Sequence, residues 1–336
     1  MALAGFTLNV RNIIMSCYTA YLASGATLLC KTIKVDTIKR YLSAAAELSI
    51  PAQMVNPCLD LMGKTSVYIR NILYEARRWE SMPNRREPVT KQMTEYIIEK
   101  GKKLNKTNPD NIYTAVGNWL VLGQQAGFRR KEWAQDRTHL KKYKDYQRNI
   151  DGSAAAFILK DFEFRGTNNK RIDNSKDKDI KKSKTVNIEW RYQKNLDNGQ
   201  KITYAKDNKC KKHCFIEASK CIRARAKRLA VKKEDPIAVF SEIKKGKNKT
   251  CYIDDKHITS LLQEAASIVY NIKDKKELSK FTAHSIRVGA CVILHSQNVS
   301  TEDIKFRLRW RSDAFRMYLR NIVALAEQHM KILRKA

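Results

Sequence analysis

The 336-residue sequence holds no run of about 18 apolar residues, so no hydrophobic membrane span is expected. Its N-terminus lacks a basic stretch ahead of an apolar one, which argues against a secretory signal. Its eight cysteines, Cys17, Cys30, Cys58, Cys210, Cys214, Cys221, Cys251 and Cys291, have no dense framework spacing. A chain this long does not need disulfide staples, so reduced thiols are the expectation. Cys210, His213, Cys214 and Cys221 cluster, but they lack the second paired unit that zinc sites use. No internal repeat is present. Above all, the chain is short of negative charge. It has 34 Asp and Glu against 66 Lys and Arg, a formal net charge of +32. That imbalance exceeds what solubility needs and implies a polyanionic partner, nucleic acid first and an anionic membrane surface second.

At 43% hydrophobic, the sequence can bury an ordinary core, and its length suits two domains or one large one. Residues 1–77 carry only 8 basic and 4 acidic side chains, so most of the positive charge lies beyond them. This first part reads as a small helical bundle. Val35-Asp36-Thr37 can cap a helix with Ile38, Tyr41, Leu42, Ala45 and Leu48 at 3–4 spacing. Pro51 ends that region, Pro57 opens the next helix, and Val67, Ile69, Ile72 and Leu73 continue a helical pattern to Glu80. Residues 81–88, Ser-Met-Pro-Asn-Arg-Arg-Glu-Pro, hold two prolines around a charged run and read as an exposed basic linker. The expected organisation is a helical domain over 1–80, the linker, and a larger domain over 89–336. The expected fold class is mainly α with a small antiparallel β-sheet or hairpin (α+β).

In the larger domain, 89–104 and Ile112–Gly127 are predicted helices, and Gly127 is a good left-handed stop. Arg129 follows directly, placed to project into a cleft. Residues 155–164 alternate at their end like a strand. Gly166–Lys184 is almost free of apolar residues and reads as a mobile loop. Val186–Lys194 and Ile202–Tyr204 read as the strands of a basic hairpin with Lys194 near its tip. Helices are predicted over 214–230, over Ile258–Tyr270 and from near His284, and Pro236–Phe240 resembles a short buried segment. A last helix, Ile322–Leu333, carries Val323, Leu325, Ala326, Met330 and Leu333.

His284 and Arg287 stand one helical turn apart, and Trp310 and Tyr318 follow on what read as the next two helices. Metal-free phosphoryl transfer needs such side chains. Guanidinium gives planar donors whose charge persists at neutral pH. Imidazole and indole donate hydrogen bonds, and a phenol attacks. Taken singly, each residue has an ordinary reading as a solvated cation or a packed ring. Their conjunction is what carries weight.

The ordered set Arg129-x-x-Glu132, a hairpin Lys194, His284-x-x-Arg287, Trp310 and Tyr318 resembles the catalytic set of tyrosine recombinases, over about 88–325. The helical N-terminal part is similar to their core-binding domain. Pro-Asn-Arg-Arg-Glu-Pro at 83–88, Tyr-Gln-Lys-Asn at 192–195 and Arg-Trp-Arg-Ser-Asp-Ala-Phe at 309–315 look most like the branch found in Crypton- and DIRS-type mobile elements. The resemblance implies that Arg129 and Arg287 grip the scissile phosphate and that Tyr318 attacks it, forming a 3′-phosphotyrosyl bond. Lys194 would protonate the leaving 5′ oxygen, with Lys201 across the turn as a competitor. His284 is the candidate base, and Trp310 serves as a donor or a packing wall. Glu132 orients His284 or Arg129. Arg130 adjoins Arg129, so the clamp can be assigned one residue off, although the spacing to Glu132 favours Arg129.

The implied protein is a DNA-cutting and rejoining integrase that needs no cofactor, metal or ATP. Its partners would be double-stranded DNA and further copies of itself, a dimer on each site and a synaptic tetramer, with the last helix docking on a neighbour. No membrane partner is expected. Lys181-Lys182-Ser183-Lys184 and Lys209–Lys212 fit nuclear signals in a eukaryotic host, and otherwise a cytoplasmic place with DNA. Trp310 and Tyr318 are eight apart where many members have nine. That spacing decides whether the phenol reaches a phosphate in its own protomer. Two rival functions use much the same surface: a type IB topoisomerase-like DNA-relaxing enzyme, and a domesticated, inactive DNA-binding protein.

Overall fold

The computed structural model describes residues 6–26, 33–48, 56–80, 85–193, 197–244 and 247–319, with Met330 and Arg334. The chain divides into two compact units, Met1–Pro83 and Asn84–Ala336. Among the described residues it is mainly α, with one three-stranded and one two-stranded antiparallel sheet. No described helix is long and apolar enough to cross a membrane.

The first unit holds α1 (Leu8–Ala23), α2 (Val35–Glu47) and α3 (Val67–Arg78). On α2, Val35, Ile38, Leu42 and Ala46 are buried, the 3–4 spacing of one apolar stripe. Val35, Ile38 and Leu42 meet Met15 and Leu22 of α1 and Ile69 and Leu73 of α3 in a small core. Two expectations need correction. The α2 cap position is Lys34, without a side-chain bond, and Asp36 sits in the first turn, where its charge suits the helix dipole. Pro57 opens a turn rather than a helix. There the Asn56 side chain accepts from the Cys58 N–H, and Asp60 accepts from Met62 and Lys64. Such local side-chain bonds compete with helix, so α3 begins only at Val67.

The second unit begins with α4 (Lys91–Leu104) and α5 (Ile112–Ala126), capped by Thr90 and Asn111. The short α6 (Arg130–Trp133) and α7 (Arg137–Tyr143) follow. β1 (Phe162–Arg165), β2 (Thr185–Trp190) and β3 (Gln200–Ala205) form the sheet in that order, with Phe162 opposite Ile188 and Ile188 opposite Ile202. Between β1 and β2 the polar segment, expected to be a loop, contains secondary structure. It contains α8 (Asp177–Lys181), and its Ile180 is buried. Asn174 donates to the carbonyls of Leu159 and Phe162. β2 also stops at Trp190, short of the expected Lys194. Arg191 is drawn away to Asp161 (2.7 Å) and the Ala156 carbonyl (2.9 Å).

α9 (Phe215–Arg228) packs on α5 and the sheet. The short buried segment at 236–240 proves to lead into β4 (Val239–Lys244), which pairs with β5 (Lys247–Tyr252). α10 (Asp255–Tyr270), α11 (Lys275–Leu278), α12 (Ser285–Ser296) and α13 (Thr301–Leu308) complete the unit, followed by a 3₁₀ turn, Asp313–Tyr318. Trp119, Phe128, Trp133, Phe157, Phe162 and Trp190 form an aromatic centre with ring centroids 5.1–6.3 Å apart. Glycines bring α5 and α12 together: a Cβ on Gly123 would lie 2.4 Å from the Ile286 side chain. The expected helix over 322–333 lies outside the described residues apart from Met330, and so does Lys194.

Candidate active site

Four segments of the second unit converge on a cavity of about 790 Å³. α5 ends at Gly127, whose φ of +56° lets the chain turn back, and its N–H bonds to the Gly123 carbonyl (2.7 Å). Two residues on, Arg129 enters the cavity wall. His284 stands just before the first residue of α12, and Arg287 lies one turn in. α13 ends at Arg309 in a left-handed conformation (φ +57°), which delivers Trp310 to the wall. Tyr318 closes the 3₁₀ turn, which Phe315 anchors in a small core with Ala290, Cys291, Ile304 and Leu308.

The two candidate clamp arginines are held by backbone. Arg287 is 3% exposed, and its Nη atoms donate to the carbonyls of Gly127 (2.5 Å), Leu308 (2.6 Å) and Arg309 (3.4 Å). A guanidinium has five N–H donors, so three such bonds leave two for a ligand. Its carbon also lies 4.5 Å from the centre of the Trp310 ring, a cation–π contact. Burial, with Arg309 and Arg129 nearby, brings Arg287 down to about 9, which leaves it charged at neutral pH. Arg129 donates to Glu132 Oε1 (3.2 Å) and to the Arg309 carbonyl (3.3 Å).

His284 Nε2 lies 2.9 Å from the Tyr318 hydroxyl. The imidazole opens to the cavity, but the protein crowding it and the charges of Arg287 and Arg86 lower its pKa from 6.5. It is therefore neutral at pH 7 and able to accept a proton. Burial raises the Tyr318 pKa, and Arg287 works against that rise. The phenol is thus protonated at rest, beside a neutral base and near a cation that favours its anion.

Arg129, His284, Arg287, Trp310 and Tyr318 all line the cavity. The Trp310 ring meets Phe315 (6.3 Å) and Tyr318 (5.9 Å), and its Nε1 is buried with no acceptor among the described residues. Of the two targets considered for Glu132, the carboxylate meets Arg129, accepting from both its N–H (3.0 Å) and its guanidinium. Arg130 also lines the cavity, but it is paired with Asp136 (3.1 Å). Arg129 shares the Glu132 carboxylate with a second arginine, Arg309.

Sequence reasoning passed over Arg86, Arg309 and Arg311, which line the same cavity. Arg309 and Arg311 flank Trp310 in the very phrase that carried the resemblance. Arg311 pairs with Asp197 (2.5 Å), a described residue of the β2–β3 connection. Among the described residues no group of His, Cys, Asp or Glu is arranged to hold a metal. His213 bonds instead to Glu95 (3.0 Å), and the Cys214 sulfur accepts from the Asp207 N–H (3.3 Å). No protein-family model matches the chain, and no curated protein is significantly similar to it.

Proposed function

We propose that this chain is a tyrosine recombinase, the integrase of a mobile element, which cuts and rejoins DNA through a 3′-phosphotyrosyl intermediate without metal or ATP. The observation that carries the reading is the pairing of the Tyr318 phenol with a neutral His284 imidazole, 2.9 Å apart, in a cavity walled by Arg129 and Arg287. His284 takes the phenolic proton as Tyr318 oxygen bonds to phosphorus. The bond from phosphorus to the 5′ oxygen breaks, and Lys194 is assigned the proton that this oxygen needs. Arg129 and Arg287 oppose the charge that builds on the non-bridging oxygens, where preorganised donors count most. The phosphotyrosyl bond keeps the energy of the broken linkage for rejoining. The net charge of +32 suits a DNA partner. On this reading residues 1–80 are the core-binding domain, the protein works as a dimer on each site and a tetramer in synapsis, and in a eukaryotic host it acts in the nucleus.

The test is trapping on a duplex nicked near the cleavage point, so that the short leaving strand diffuses away. Wild type should form a DNA adduct stable to denaturant, and Tyr318→Phe should form none while binding DNA as well as before. Binding by wild type without any adduct would favour the inactive DNA-binding protein. Relaxation of supercoiled plasmid at no preferred site, with no recombinant product, would favour the topoisomerase-like enzyme.

A further inference from the structure

We propose that Arg309 is a positioning residue, which sets Arg129 and Arg287 in place and keeps Glu132 from cancelling the charge of Arg129. The inference rests on the reading of this cavity as a phosphoryl-transfer site. Arg309 has φ +57° and ψ +51°, a region that L side chains rarely adopt and that glycine occupies without strain. Its side chain is only 1% exposed. A strained and buried charge at the rim of a cationic cavity is a costly arrangement unless the residue acts there.

Both halves of the residue act on the site. The left-handed turn aims the Arg309 carbonyl at Arg129 Nη2 (3.3 Å) and Arg287 Nη2 (3.4 Å), so one oxygen accepts from both candidate clamps. The guanidinium donates to Glu132 Oε2 (2.8 Å) and to the Ala126 carbonyl (3.0 Å), and lies 4.0 Å over the Trp190 ring. Trp190 Nε1 donates to the same carboxylate oxygen (3.1 Å). Glu132 is therefore a single anion shared between two guanidiniums. Its orientation is fixed by Arg309 and Trp190, and it fixes Arg129 in turn. With Arg309 taking part of that charge, Arg129 keeps more of its own for a phosphate oxygen.

Arg309→Gly tests this, because glycine accepts the backbone geometry and keeps the carbonyl while removing the side chain that carries the guanidinium. On the nicked duplex at saturating DNA, adduct formation should slow roughly 100-fold, the scale of losing one preorganised donor. DNA affinity should change only a few-fold. Millimolar guanidinium should restore at least about ten-fold of that rate by refilling the space beneath Trp190, and urea, its neutral analogue, should not. The same guanidinium should raise the unfolding temperature of Arg309→Gly but not of wild type or of Arg309→Gly/Glu132→Gln, a readout that involves no DNA. Arg309→Lys keeps the charge but not the planar fork, and should slow trapping about ten-fold without rescue. Trapping by Arg309→Gly or Arg309→Lys at the wild-type rate overturns the proposal, as does a folded Arg309→Gly that guanidinium neither stabilises nor rescues. A wild type that forms no adduct, with the guanidinium stabilisation intact, sinks the phosphoryl-transfer reading and leaves the Arg309–Glu132 arrangement standing.

Discussion

The imidazole of His284 and the phenol of Tyr318, 34 residues apart in the chain, meet at 2.9 Å. The protein crowding the imidazole and two arginines hold the His284 pKa below its usual 6.5. A group with a lowered pKa stays neutral through the physiological range and gains its proton only in acid. If His284 is the base, the adduct-forming rate should be flat from about pH 7 to 8 and fall as pH drops through the depressed value, below ~6.5. His284→Ala should be slower, by about 100-fold, and should lose that acid limb. Single-turnover trapping against pH reads both. An acid limb that persists in His284→Ala would assign it to another group.

Glu132 is ion-paired with Arg309 at 2.8 Å, and both are buried, at 8% and 1% side-chain exposure. Removing one partner of a buried pair leaves the other charged and uncompensated, at a cost of about 3–5 kcal/mol. Glu132→Ala should therefore destabilise strongly, in that range. Arg129→Ala should cost far less, because Arg129 is 24% exposed and leaves Glu132 still bonded to Arg309 and Trp190. Denaturant midpoints of the two variants measured side by side give the comparison. Equal losses would mean that Arg129, not Arg309, is the partner on which Glu132 depends.

How much of this could be read from the sequence followed from whether a signal was local. His284 and Arg287 share a helix turn, and Arg129 follows a glycine stop, so local spacing marked them as candidates, while their grouping into one set came from the resemblance. Arg309 was illegible because its role depends on a left-handed backbone and on burial, and an arginine in a chain of this charge looks solvated. β5 was missed because Lys247-Asn248-Lys249-Thr250 are all exposed and offer no apolar alternation, its pairing to β4 being carried by backbone. α8 was missed because Ile180 is the single buried side chain in a polar helix of five residues. The Pro57 turn was misread because proline opens turns as readily as helices, and the deciding bonds come from Asn56 and Asp60.

Gly127 joins the backbone to the site. Its φ of +56° disfavours any side chain, and a Cβ there would lie 2.7 Å from Leu308 Cδ2. Gly127→Ala should cost about 1–2 kcal/mol for the left-handed residue alone, and more for the overlap with Leu308. Because the Gly127 carbonyl accepts from Arg287 at 2.5 Å, the shift should also slow trapping in protein that remains folded. Gly289→Ala is the control. Its Cβ would meet the Val89 carbonyl at 2.4 Å, a harder clash because it is with backbone, at a residue whose own carbonyl is not an Arg287 acceptor. If the two variants lose stability and trapping rate in the same proportion, the Gly127 carbonyl has no special hold on Arg287.

Arg311 lines the cavity and is paired with Asp197, both well exposed at 63% and 44%. An exposed pair of this kind adds little to stability, so neither partner should matter much to the unfolding midpoint. Its effect should appear in DNA binding. Arg311 holds Asp197 below the usual carboxylate range, so the carboxylate is an anion throughout the working pH and competes with phosphate for the guanidinium. Asp197→Asn should release Arg311 to a phosphate, strengthen DNA binding and steepen the slope of log affinity against log salt by about 0.9, the increment for one added contact. Arg311→Ala in that background should return the slope to its original value. An Asp197→Asn slope equal to wild type would mean that Arg311 meets no phosphate, and that its pairing serves only to hold the β2–β3 connection beside the cavity.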